Sequence, residues 1–122
     1  MTIIATGVMV DMALSARATL AAEGIDARVI NIHTIKPLDR EIVLAAARET
    51  GALVVAEEHN IIGGLGSAVA ECLCEACPVP MMRVGVEDTF GRSGKVPALL
   101  EYYGLTPANI VAKAKAAIAL KK

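Results

Sequence analysis

Residues 57–66 read Glu-Glu-His-Asn-Ile-Ile-Gly-Gly-Leu-Gly, directly after the apolar run Leu53-Val54-Val55-Ala56. Glu58 and His59 are the residue types that donate and accept protons near neutral pH. Gly63, Gly64 and Gly66 permit close backbone approach, and free amides at a helix start attract phosphate. A catalytic or phosphate-binding corner is therefore one reading. The spacing argues against its best-known forms. A dinucleotide fingerprint needs G-x-G-x-x-G straight after the first strand, where Gly7 stands alone. No G-x-x-x-x-G-K-[ST] and no G-x-S-x-G occurs in the chain. The competing reading is a tight turn packed closely, with Glu58 and His59 at a domain or subunit contact.

Other residues offer less. His33 ends a strand-like run, and the segment Val86–Lys95 carries Phe90, Arg92 and Lys95 on a polar, glycine-bearing loop. A lone Phe in such a loop suits an anchor or a partner contact, and the two cations suit an anion or water. Cys72, Cys74 and Cys77 are odd in number and crowded together. A disulfide framework needs an even, dispersed set, so reduced thiols and a cytoplasmic protein are expected.

Four runs read as strands: Thr2–Gly7, Ala27–Ile32, Ala52–Glu58 and Pro80–Val86. Each is nearly continuously apolar, the signature of parallel strands covered on both faces. Helical periods lie between them. Met9, Met12, Ala13, Ala16 and Leu20 make one stripe, and Gly24 stops it. Asp39 caps a second helix that ends near Gly51. Leu65, Val69, Cys72, Leu73 and Ala76 form the third stripe, leaving Glu71 and Glu75 for water. Thr106 and Pro107 open the last helix, which buries Ile110, Ala114, Ala117 and Ile118. This β-α-β-α-β-α-β-α order predicts a single three-layer α/β/α domain over residues 1–122. Right-handed crossovers give a parallel sheet of order 2-1-3-4. Its switch point sets the tips of strands one and three side by side, bringing 5–8 next to 57–60.

Composition narrows the function classes. The chain has 122 residues with 12 basic and 13 acidic side chains and no charge block, so neither nucleic acid nor an anionic membrane is an expected partner. Hydrophobic residues make up 55% but aromatics only 2%, so the core is aliphatic. With a mean hydropathy of +0.54, a buried face for a partner is expected. No apolar run approaches the roughly 20 residues that cross a bilayer, and the first residues lack a basic signal-peptide start.

Five motifs occur in order: "IIATG" at 3–7, "HTIKPLD" at 33–39, "VAEEHNIIGGLGSAVAE" at 55–71, "RVGVEDTFGRSG" at 83–94 and "YGLTPANI" at 103–110. Together they resemble the C-terminal domain of transketolase, in particular its separately encoded subunit form. The "KPLD" and "GGLGSAV" themes are shared with 1-deoxyxylulose-5-phosphate synthase and the β subunits of 2-oxoacid dehydrogenases. The "EEH" and "EDTFG" variants favour transketolase.

The resemblance implies a parent enzyme that moves a two-carbon ketol unit between sugar phosphates, as in the pentose phosphate pathway. It also implies thiamin diphosphate and a divalent metal (Mg), held by diphosphate-binding and pyrimidine-binding domains or a separate subunit. None of the family's catalytic or cofactor positions falls on this chain. The implied role is structural, with a homodimer contact drawn from Glu58, His59, Gly63, Gly64 and Phe90. The family's usual extra edge strand is missing ahead of Met1, which suggests a fragment of a longer chain and an unpaired edge beside Ala27–Ile32. Partner docking and a free-standing binder of a phosphorylated metabolite are the alternatives.

Overall fold

The computed structural model describes residues 1–32, 38–60, 64–86 and 105–121, the side chains of 58–60 and 86 excepted. Among the described residues four strands alternate with four helices: β1 (Thr2–Ala5), α1 (Met9–Ala22), β2 (Arg28–Asn31), α2 (Arg40–Thr50), β3 (Leu53–Asn60), α3 (Leu65–Ala76), β4 (Met81–Val86) and α4 (Pro107–Ala119). All pairings are parallel and the order is β2-β1-β3-β4, as the sequence predicts. Thr2 pairs with Arg28 on one side and Leu53 on the other. β2 lies at an edge of the described sheet, with Arg28 and Asn31 exposed, Val29 half-buried and Ile30 buried.

The central stretches Ile3–Ala5 and Leu53–Ala56 are apolar because each face of the sheet is covered there. Ile3, Ala5, Val54, Ala56 and Val84 pack under α1 and α4, with Met9, Ala13, Leu20, Ile110 and Ala114. Ile4, Ile30, Leu53 and Val55 point the other way, towards α2 and α3, with Val43, Leu65, Val69 and Cys72. The alternation of neighbours between two cores follows from the period-2 geometry of a strand. No aromatic side chain is among the buried core residues described.

Two of the helix starts follow local rules. The Ile42 amide donates to Asp39 Oδ1 at 3.2 Å, and the Asn109 amide to Thr106 Oγ1 at 3.2 Å. Such caps satisfy amides that the helix leaves without an acceptor. Gly24 and Gly51, with φ of 80° and 74°, end α1 and α2 in the left-handed region open to glycine. Ala76 is exposed and Met12 and Ile118 only half-buried, so the three predicted stripes are each trimmed at one position.

Candidate functional site

The tips of β1 and β3 lie side by side at the switch point, where the Thr6 amide donates to the Ala56 carbonyl at 3.3 Å. Beyond Ala56 the ladder with β4 is interrupted. Ala56 pairs with Val84 and Asn60 with Val86, so β3 spends four residues where β4 spends two. The interruption falls on Glu57-Glu58-His59. A bulge of this kind re-aims side chains at the rim of a sheet.

Glu57 shows the result. Leu53 and Val55 face α3, and the carboxylate two positions on, 1% exposed, reaches the same helix. One oxygen accepts from the Leu65 amide at 3.0 Å and the other from the Gly66 amide at 2.7 Å. These are the first two residues of α3. The N-cap position, Gly64, is extended (φ −91°, ψ −157°) and has no side chain to offer. The strand therefore supplies the acceptor that the local sequence lacks. The positive end of the helix dipole and two charge-assisted bonds compensate for burying the carboxylate.

Gly66 suits this arrangement by its lack of a side chain. A Cβ there would lie 2.9 Å from Arg83 Cδ, 3.2 Å from Arg83 Cγ and 3.2 Å from Glu57 Oε2. The aliphatic stem of Arg83 thus crosses the first turn of α3 beside the carboxylate.

The sequence-derived candidates fall unevenly on this frame. Glu58 and His59 belong to the interrupted stretch of β3, one and two residues past Glu57, in strand rather than loop. Gly64 is the N-cap of α3. Gly63, Phe90, His33, Arg92 and Lys95 lie outside the described residues. Glu57 stands inside the "EEH" motif, but reading by residue type passes over it in favour of Glu58 and His59. Its signal is positional: continuing the α3-facing row Leu53, Val55 by two places lands on it.

The chemical consequence is specific. Two of the amides that a phosphate would use at α3, those of Leu65 and Gly66, are already engaged by the chain's own carboxylate, and Glu57 has given both oxygens to them. Among the described residues no group of three or more His, Cys, Asp or Glu is arranged to hold a metal ion. The donor set of the described residues therefore offers no cluster for a metal-held diphosphate. Two cavities of about 440 and 490 Å³ lie at the opposite, amino end of the strands, lined by residues such as Gly51, Pro80 and Lys121 and by Arg28 and Glu49. No helix among the described residues is long and apolar enough to cross a membrane.

Comparison with known proteins bears on the same frame. A family model described as "Transketolase, C-terminal domain" matches residues 1–110. The 6-deoxy-6-sulfo-D-fructose transketolase subunit SqwH of Clostridium sp. (strain MSTE9) is 57% identical over 110 residues, covering 90% of this chain and 34% of that protein. The 1-deoxy-D-xylulose-5-phosphate synthase of Heliobacterium modesticaldum is 44% identical over 115 residues, 93% of this chain and 18% of its own length. A solved structure described as a split-gene transketolase, an inactive beta4 tetramer, superposes with a TM-score of 0.95 at 54% identity, covering 99% of this chain and 40% of that one. The chain thus spans about a third or less of the curated relatives described here.

Proposed function

The chain belongs to the transketolase C-terminal domain family, and on that premise we propose that it is the structural and dimerisation domain of a thiamin-diphosphate-dependent transketolase. In this reading residues 1–122 are one domain of a longer protein that transfers a two-carbon ketol unit between sugar phosphates in the cytoplasm. Thiamin diphosphate and its Mg ion are held by the diphosphate-binding and pyrimidine-binding domains or by a partner subunit. This domain contributes stability and association but no reacting group. Glu58, His59, Gly63, Gly64 and Phe90 form the contact, and the assembly is a homodimer of the complete enzyme.

One observation carries the structural reading: the buried acid at the switch point, Glu57, is spent on the amides of Leu65 and Gly66. A group with both oxygens engaged by the backbone is poorly placed to move protons for a substrate. The split-gene relative described as inactive while assembled as a tetramer supports the same division between association and chemistry.

The test is reconstitution. The full-length protein, with and without residues 1–122, is combined with its diphosphate-binding partner, and solution mass is measured alongside ketol transfer. Loss of assembly on removing the domain is expected. His59→Ala should weaken assembly while leaving turnover per assembled enzyme unchanged. Normal assembly with abolished turnover would overturn the reading. The 44%-identical synthase supplies a second reading, and 1-deoxyxylulose-5-phosphate formation in place of ketol transfer would select it.

A further inference from the structure

We propose that Glu57 is a positioning residue for the assembly contact, setting by its two hydrogen bonds the course of the backbone through Glu58 and His59, where the β3–β4 ladder is interrupted. The inference rests on the reading that those two residues form the contact.

The geometry leads there in three steps. The β3–β4 register breaks immediately after Ala56 and resumes at Asn60, so the ladder does not determine the backbone of Glu58 and His59. Backbone outside a ladder needs another restraint if it is to present residues reproducibly to a partner. The restraint on the page is the neighbour on the chain: Glu57, 1% exposed, is held through both oxygens by the first two amides of α3. α3 is in turn fixed to the sheet by Leu65, Val69, Cys72 and Leu73 in the core. The path from packed core to contact residues therefore runs core, α3, Glu57 carboxylate, Glu58-His59. Gly66 keeps it open, since a Cβ there would meet Glu57 Oε2 at 3.2 Å.

Glu57→Gln separates positioning from bulk. The amide has the same shape, but its NH₂ faces an N–H that needs an acceptor, so one of the two bonds is lost and the backbone is free to shift. A merely structural role predicts that association responds to stability alone. The matched control is Thr106→Ala, which removes the cap at the far helix α4, with urea titration used to confirm a comparable loss of stability.

The experiment is a light-scattering dilution series on the full-length protein in four forms: wild type, Glu57→Gln, Thr106→Ala and His59→Ala. Expected is a dissociation midpoint raised about tenfold by Glu57→Gln, equivalent to about 1.4 kcal/mol, raised by His59→Ala, and within about twofold of wild type for Thr106→Ala. An equal shift in Glu57→Gln and Thr106→Ala overturns the proposal, since stability alone would then explain it. A shift in His59→Ala with none in Glu57→Gln overturns it while leaving the contact reading intact. A shift in Glu57→Gln with none in His59→Ala also overturns it, because the carboxylate would be acting on a different surface. No shift in either variant overturns the contact reading itself.

Discussion

Helices α2 and α4 begin in one way and α3 in another. The first two take their caps from within their own sequence, Asp39 three residues before Ile42 and Thr106 three before Asn109. α3 starts at a glycine without a side-chain cap and takes its acceptors from Glu57, eight and nine residues upstream in β3. A local cap stabilises a helix wherever the helix lies. A cap drawn from a strand stabilises it in one place only. The difference teaches that α3 is registered to the sheet by polar contacts as well as by packing, at the end of the sheet where the switch point lies.

Breaking the remote cap is expected to have the largest effect. Glu57→Ala leaves two buried amides without an acceptor and a void beneath α3, and should lower unfolding stability by about 3 kcal/mol in urea titration. A loss no greater than that of a surface Glu→Ala change would mean that water replaces the carboxylate. Gly66→Ala comes next. Alanine gains about 1 kcal/mol of helix propensity over glycine, but here its Cβ runs into the Arg83 stem. The net expected is a loss of about 1 kcal/mol, and Arg83→Ala in the same chain should recover most of it. Strict additivity in that double-mutant cycle would contradict the packing described.

The local caps should break more gently. Asp39→Ala and Thr106→Ala are each expected to cost about 1 kcal/mol. Pro107 pre-sets the first turn of α4, so Thr106→Ala should be the milder of the two. Denaturation of both variants side by side would check that order.

The same contrast explains what was legible in the sequence. Strand order, parallel pairing and both local caps follow from patterns confined to a few neighbouring residues or to the alternation of elements. Asp39 and Thr106 announce themselves because cap and helix are adjacent. Glu57 did not, since its role is defined by a helix that starts beyond the glycines. Strand three also runs to Asn60 rather than stopping at Glu58. His59 and Asn60 fall beyond the apolar run by composition, yet pairing of Asn60 with Val86 keeps them in the sheet. The glycine cluster suggested a phosphate cradle for a sound reason, as the amides at its end do bind an anion. That anion is part of the chain.

The three cysteines of α3 and its C-cap carry a practical consequence. Cys74 is exposed, Cys77 half-buried and Cys72 buried against the sheet. A thiol reagent should therefore label them at three separate rates, and the slowest clocks the lifting of α3 from the core. With no ring in the described core to give an ultraviolet signal, this graded set is a built-in stopwatch for the motion that Glu57 restrains. In Glu57→Ala the Cys72 phase should quicken while the Cys74 phase keeps its pace.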